Sequence, residues 1–243
     1  MGIGNALLAF WVILNALFYD VSAYRDCDNA NELKITIKGC SEIIEQKGYG
    51  LTAKAHAFSI RGIAYSEQGS NDLASADFDS AIAGLDEILS RTPHDMDALL
   101  SRGRAHRAKG DLRRGLADYD EAIRLDPRNV DAFNSRCWAR ALLGIELEIA
   151  RADCDTAVKL SSNEPIILDS RGMVGIKQGK FAEAWTDYDA ALRAEPGIAR
   201  YYYGRGIAAL RLGRTDEGNA DLAEATKLEA QIAERYARFG VIP

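Results

Sequence analysis

The pairs Arg61-Gly62, Arg102-Gly103, Arg136-Cys137, Arg171-Gly172 and Arg205-Gly206 recur at separations of 41, 34, 35 and 34 residues. Eight positions after each arginine stands a glycine: Gly69, Gly110, Gly144, Gly179 and Gly213. Sixteen after it stands an aspartate (Asp77, Asp118, Asp187, Asp221), with Asp153 one place late. Twenty after it stands an alanine (Ala81, Ala122, Ala191, Ala225), with Ala157 again one late. Such a period marks a stacked repeat protein, whose single unit cannot bury its own apolar face and closes a core only against its neighbours.

Within each repeat, apolar residues recur at helical spacing on both sides of the central glycine, so each repeat reads as two antiparallel helices. That glycine ends the first helix, because a left-handed cap is easiest without a Cβ. Asp111 and Asp72 stand just beyond it, where helix N-caps are common. Pro93, Pro127, Pro165 and Pro196 fall between repeats and end one hairpin before the next begins. Small residues are expected to face each other where the two helices touch: Gly103 against Gly115 and Ala122, Gly172 against Ala184 and Ala191.

Phe58, Gly62, Tyr65, Ala74, Phe78 and Ala81 in the first repeat, Gly103, Tyr119, Ala122 and Pro127 in the second, and Tyr202, Gly206 and Ala225 in the fifth follow one order of residue types. That order resembles the tetratricopeptide repeat. Leu116-Ala117-Asp118-Tyr119-Asp120-Glu121-Ala122 is similar to its bacterial branch with Asn/Ser-Arg-Gly and Ala-Asp-Tyr-Asp signatures. The resemblance covers about residues 24 to 232. It implies an all-α fold, a tetratricopeptide-repeat right-handed superhelix (α-solenoid), whose first helices line a concave groove. The expected organisation is a signal peptide or N-terminal membrane anchor over 1–23, an atypical capping repeat over 24–54, five repeats over 55–232 and a capping tail over 233–243. Two departures stand out: seven extra residues between Ala81 and Pro93, and one between Gly144 and Asp153.

Ala6 to Tyr19 is apolar except for Asn15, and Asp20 ends the run. Fourteen residues fall short of the ~20 that cross a bilayer as a helix. The length fits a signal-peptide core, and Val21-Ser22-Ala23 offers small residues for cleavage, although no Lys or Arg precedes the run. Ala6 stands where myristoylation wants Ser or Thr. Four cysteines in an exported chain suggest two bridges. In the repeat register Cys137 takes the first-helix glycine place, while Cys154 and Cys40 take the aromatic place of a second helix. The expected pairs are therefore Cys27–Cys40 and Cys137–Cys154, with four buried free thiols as the alternative. No Cys-x-x-Cys occurs, and His56, His94 and His106 are scattered, so neither a metal site nor thiol redox catalysis is expected.

The arginine column with aspartates sixteen and eighteen residues on suggests a ladder of ion pairs between adjacent helices rather than a ligand site. Binding is expected where the repeats differ. By register the inward places of the first helices hold Arg104, Arg107, Asn134, Trp138, Asp169, Met173, Tyr203 and Arg211, with Trp138 and Tyr203 as aromatic anchors. One mode of the family clamps terminal carboxylates with Lys and Asn; Ser59, Leu100, Asn134, Asp169 and Tyr203 occupy that column here and do not reproduce it. Gly204-Arg205-Gly206 lies inside a helical stretch and opens no nucleotide loop. A net charge of -6 provides no basic footprint for nucleic acid. The expectation is a non-catalytic, cofactor-free scaffold or assembly factor in the periplasm or outside the cell, possessing a protein or peptide partner and touching the membrane only through an uncleaved N-terminal segment. A chaperone-like holder of exported clients is the alternative on the same fold; an enzyme would need converging carboxylates or a histidine in a groove.

Overall fold

The computed structural model describes residues 21–29 and 32–243. Among the described residues there are helices and no strand. They are α1 (Val21–Cys27), α2 (Leu33–Glu45), α3 (Leu51–Glu67), α4 (Asn71–Arg91), α5 (Met96–Lys109), α6 (Leu112–Leu125), α7 (Val130–Leu143), α8 (Leu147–Ser161), α9 (Pro165–Gln178), α10 (Phe181–Ala194), α11 (Ala199–Arg211), α12 (Thr215–Leu228) and α13 (Ile232–Arg238). They form two compact units, an N-terminal one ending at Arg114 and a C-terminal one from Gly115 to Pro243. Within each unit a first helix packs on its own partner, on the second helix of a neighbouring hairpin and on the next first helix, the contact pattern of an α-solenoid. The leader expected over 1–23 lies outside the described residues up to position 20; Ser22 and Ala23 belong to α1. No helix among the described residues is long and apolar enough to cross a membrane.

The glycine eight places after each arginine ends its helix as expected. Gly69, Gly110, Gly144, Gly179 and Gly213 have φ between +66° and +90°, a region that costs a side chain about 1–2 kcal/mol. The next amide turns back to the carbonyl five residues earlier in every case, from Ser70 to Tyr65 through Arg214 to Ala209, at 2.8–3.2 Å. Between repeats, Asp95 and Asn129 cap α5 and α7 by accepting from the Ala98 and Ala132 amides, both at 2.9 Å. Asp72 lies in the first turn of α4 and is not its cap. The seven extra residues lengthen α4 to 21 residues, against 14 in α10 and α12. The single extra residue is taken up before α8, where Glu146 adopts a left-handed φ of 47°.

In the first and fourth repeats the hairpin closes by a knob-in-notch contact. A Cβ on Gly62 would lie 2.7 Å from the Phe78 ring, and one on Gly172 2.7 Å from the Tyr188 ring. Gly172 was expected against Ala184 and Ala191; the Tyr188 ring lies nearest to it instead, and Ala184 meets Gly175, one turn on. In the third repeat Cys137 and Cys154 occupy the same two places and form a disulfide, Cα–Cα 5.5 Å. Cys27 and Cys40 form the second, Cα–Cα 4.5 Å, where Gly39 lets α1 approach α2 within 2.5 Å of a would-be Cβ.

The arginines sit at the joints. Arg61, Arg171 and Arg205 each grip the aspartate sixteen residues on with Nε and Nη2, at 2.6–2.9 Å. Arg136 grips Asp153 in the same way at 2.9 and 2.5 Å. The remaining Nη1 reaches back to the preceding hairpin: Arg102 to Asp86, Arg136 to Asp120, Arg171 to Asp155 and Arg205 to Asp189, at 2.7–3.1 Å, and Arg61 to Ser41. Asp120 and Asp189, eighteen residues after Arg102 and Arg171, thus serve the following arginine, as do Asp155, nineteen after Arg136, and Asp86, twenty-five after Arg61. Hydrogen bonds to Asp77 and Asp221 push the Arg61 and Arg205 guanidinium groups above their usual value. Phe58, Phe133 and Tyr202, three residues before their arginines, place rings 5.6–5.9 Å from the guanidinium carbon.

Two stability series check this frame. Arg171→Met strands the buried Asp187 and should cost about 3–5 kcal/mol in urea unfolding; Arg136→Met should cost less, because Arg140 still bonds Asp153 at 2.6 Å. Equal losses would mean that Arg140 does not stand in for Arg136, and no loss in either that the aspartates do not depend on these arginines. Cys137→Ala with Cys154→Ala should lose about 2–5 kcal/mol, and Cys137→Gly with Cys154→Tyr should recover some of it by installing the notch and knob. No recovery would mean the two places are not equivalent.

Candidate functional site

The inward places of the C-terminal unit form one face built by α7, α9 and α11. Helical spacing explains it: Asn134 and Trp138 stand four apart on α7, Asp169 and Met173 four apart on α9, and Tyr203 and Arg211 two turns apart on α11. Arg104 and Arg107 stand on α5 of the N-terminal unit, the first exposed and the second half-buried.

The face is covered by the chain itself. The C-terminal segment, expected as a capping tail over 233–243, folds back over it from Ile232 to Val241. Met173, Tyr203, Ile207, Ile232, Tyr236 and Val241 belong to a single buried cluster, with Trp138 and Phe239 packed against it. Tyr236 lies 4.6 Å from the Tyr203 ring, and Phe239 meets Trp138 edge to face at 6.2 Å. The Tyr236 hydroxyl donates to the Arg200 carbonyl at 3.0 Å. Lys177 Nζ donates to the Phe239 carbonyl, and Arg211 to the Ile242 carbonyl at 3.3 Å. Asp169, Met173 and Tyr203 are therefore buried in this state, while Trp138 and Asn134 are half-buried and Arg211 is exposed.

Beneath the tail lies a polar cluster. Asp169 Oδ2 accepts from Arg200 Nε at 2.9 Å, while its Oδ1 is buried without a hydrogen-bond partner in the chain. Burial pushes the Asp169 carboxyl up to about 6, against the opposing pull of Arg200. Burial also holds the Tyr188 and Tyr236 hydroxyls well above their ordinary value. A raised carboxylate is a feature shared with active sites, but Asp169 is sealed from solvent at 2% exposure. The N-terminal unit holds an open cleft of about 410 Å³ lined by Asp79, His106, Lys109, Asp111 and Arg114. Its carboxylates are taken up in ion pairs, Asp79 with Lys109 and Asp111 with Arg114. Among the described residues no three His, Cys, Asp or Glu side chains are placed to hold a metal ion.

Sequence reasoning missed Lys177, Arg200, Tyr236 and Phe239. Lys177 was within reach, since it continues the Asp169 and Met173 stripe by another four residues. Ile232, Tyr236 and Phe239 also keep helical spacing, a signal that serves a polar-faced cap equally well.

A tetratricopeptide repeat family model matches residues 66–130, 100–165 and 171–233. No curated protein matches the chain. Among solved structures, MamA is similar over 71% of this chain and 96% of its own, at 22% identity and a TM-score of 0.55. MamA from Desulfovibrio magneticus RS-1 is similar over 75% and 99%, at 15% identity and 0.56. A thermophilic tetratricopeptide-repeat protein of Thermus thermophilus is similar over 76% and 97%, at 19% identity and 0.59. At such identities the likeness speaks for the fold alone.

An unfolded aspartate titrates near 3.9, so a folded value of about 6 means that Asp169 favours folding below pH ~4 and loses that contribution as pH rises to ~6. Asp169→Asn, which cannot ionise, should therefore gain on the wild type with rising pH. The difference in Tm, variant minus wild type, should be more positive at pH 7.5 than at pH 4; a constant difference would mean an ordinary carboxyl.

Proposed function

The chain belongs to the tetratricopeptide repeat family, and from that premise we propose that it is a non-catalytic scaffold or assembly factor of the bacterial cell envelope. It holds a protein or peptide partner along the inner face of its first helices. The observation that carries this reading is the division of labour between positions. Arginine, aspartate, glycine and aromatic columns that repeat are consumed by the frame, whereas the inward stripe changes from repeat to repeat: Arg104 and Arg107, Asn134 and Trp138, Asp169 and Met173, Tyr203 and Arg211. A varied stripe on a uniform frame is what recognition of one particular partner requires. Residues 24–54 act as the N-terminal cap, 55–232 as the five repeats and 233–243 as the tail.

Export belongs to the same proposal. Both disulfides close local loops, Cys27–Cys40 and Cys137–Cys154, and such bridges persist in oxidising compartments. The apolar run over residues 6–19 supplies a leader or anchor.

Affinity capture from an envelope fraction tests partner binding and export together. The tagged protein should retain a defined partner that Trp138→Ala loses. Unfolded without reductant, the same preparation should take up no maleimide, and four equivalents after reduction. An identical set of proteins with wild type and variant, or free thiols before reduction, would count against the reading.

A further inference from the structure

The last described helix does not continue the repeat. It carries no Arg-Gly pair, and while it touches both α11 and α12, Tyr236 and Phe239 turn inward to Tyr203 and Trp138. Its buried residues, Ile232, Tyr236 and, partly, Phe239, lie at i, i+4 and i+7, whereas Ala233, Glu234, Ala237 and Arg238 face solvent. That is an amphipathic helix seated in a groove. The groove's polar contacts with it are of a general kind. Lys177 and Arg211 both donate to main-chain carbonyls of the tail, Phe239 and Ile242, and any peptide offers the same acceptors. Side-chain selection rests on the aromatic pair: Tyr236 against Tyr203, and Phe239 against Trp138.

We propose that the face made by Trp138, Met173, Lys177 and Tyr203 binds a short amphipathic helix bearing two aromatic residues three apart, and that residues 232–241 are its resident stand-in. An incoming partner segment displaces the tail and takes over its contacts. The proposal rests on the scaffold reading for its biological partner, but the groove's preference stands on the tail's own contacts. Only Glu229–Gln231 separate α12 from α13, and so short a connection keeps the tail at an effective concentration of roughly millimolar or above. A free segment of equal quality is thereby outcompeted in the closed chain.

The test uses the full chain and a fluorescent synthetic peptide of residues 229–243. The peptide should bind a Tyr236→Ala, Phe239→Ala chain in anisotropy titrations, and bind the wild type about 100-fold or more weakly. A peptide with both aromatics replaced by Ala should bind neither. A folded double variant that ignores the peptide, or equal binding to both chains, overturns the proposal. Hydrogen exchange on the unmodified protein is the second measurement and needs no variant. Amides of α13 should exchange at least about tenfold faster than those of α9 and α11, because the tail opens while the repeats stay folded. Equal protection would make the tail an integral element of the fold and overturn the proposal. Binding of the peptide stands whether or not envelope capture yields a partner, so a failure here is separable from a failure of the scaffold reading.

Discussion

The arginine at the head of each Arg-Gly or Arg-Cys pair is the joint on which the repeat depends. Where both contacts are seen, as in Arg136, Arg171 and Arg205, one guanidinium ties three helices: its own, the partner helix through a bidentate aspartate, and the second helix of the hairpin before. A planar fork with donors on two edges can do this, whereas a lysine ammonium has no fixed plane with which to match a carboxylate. The gripped aspartates are almost fully buried, with side chains 5–8% exposed, so the pairing is needed to offset their desolvation. The insertion in α4 respects the joint. Seven residues make nearly two helical turns, so Asp86 returns to the face that a shorter α4 would have presented and meets Arg102 at the usual sixteen-residue offset. Asp79, left two turns behind, pairs with Lys109.

The third repeat solves the same packing problem with different chemistry. In the first and fourth repeats a glycine notch receives an aromatic ring, and in the fifth Gly206 meets Leu222; here two cysteines span the gap covalently. The change coincides with the one-residue insertion, which puts Asp153, Cys154 and Ala157 one place late. Glu146 absorbs the extra residue in a left-handed conformation and is held there by Arg140 Nε at 2.9 Å. A covalent link at this hairpin secures a joint whose turn carries backbone strain.

The proposed function follows from what the frame leaves over. The repeating positions are used up in holding helices together, and the varying ones collect on the inward face. In the C-terminal unit that face is apolar at its centre, cationic at its rim and already fitted to a helix. The tail's own aromatic side chains enter this face while its main chain meets Lys177 and Arg211, the contacts that the proposed peptide would take over. Asp169 sits under the same segment with one oxygen unmatched, a polar cost that the packing of Tyr236 above it helps to seal.

Much of the fold was readable in the residues because repetition averages out noise. The helix-ending glycines, the sixteen-residue arginine–aspartate offset and both cysteine pairs involve partners at most 17 residues apart, at separations set by hairpin geometry. The second partner of each arginine was not, because it lies in the preceding hairpin and an aspartate's column does not reveal which neighbour it faces. The inward face was legible as a set of positions but not as a covered surface. Lys177 and Phe239 are 62 residues apart, and Trp138 and Phe239 are farther still. Such contacts occur once, with no fixed offset to repeat. The chain's letters alone therefore determined the two-helix unit and its internal bonds, and only the packed structure decided that the tail turns inward, because burying Tyr236 and Phe239 depends on three first helices being assembled side by side.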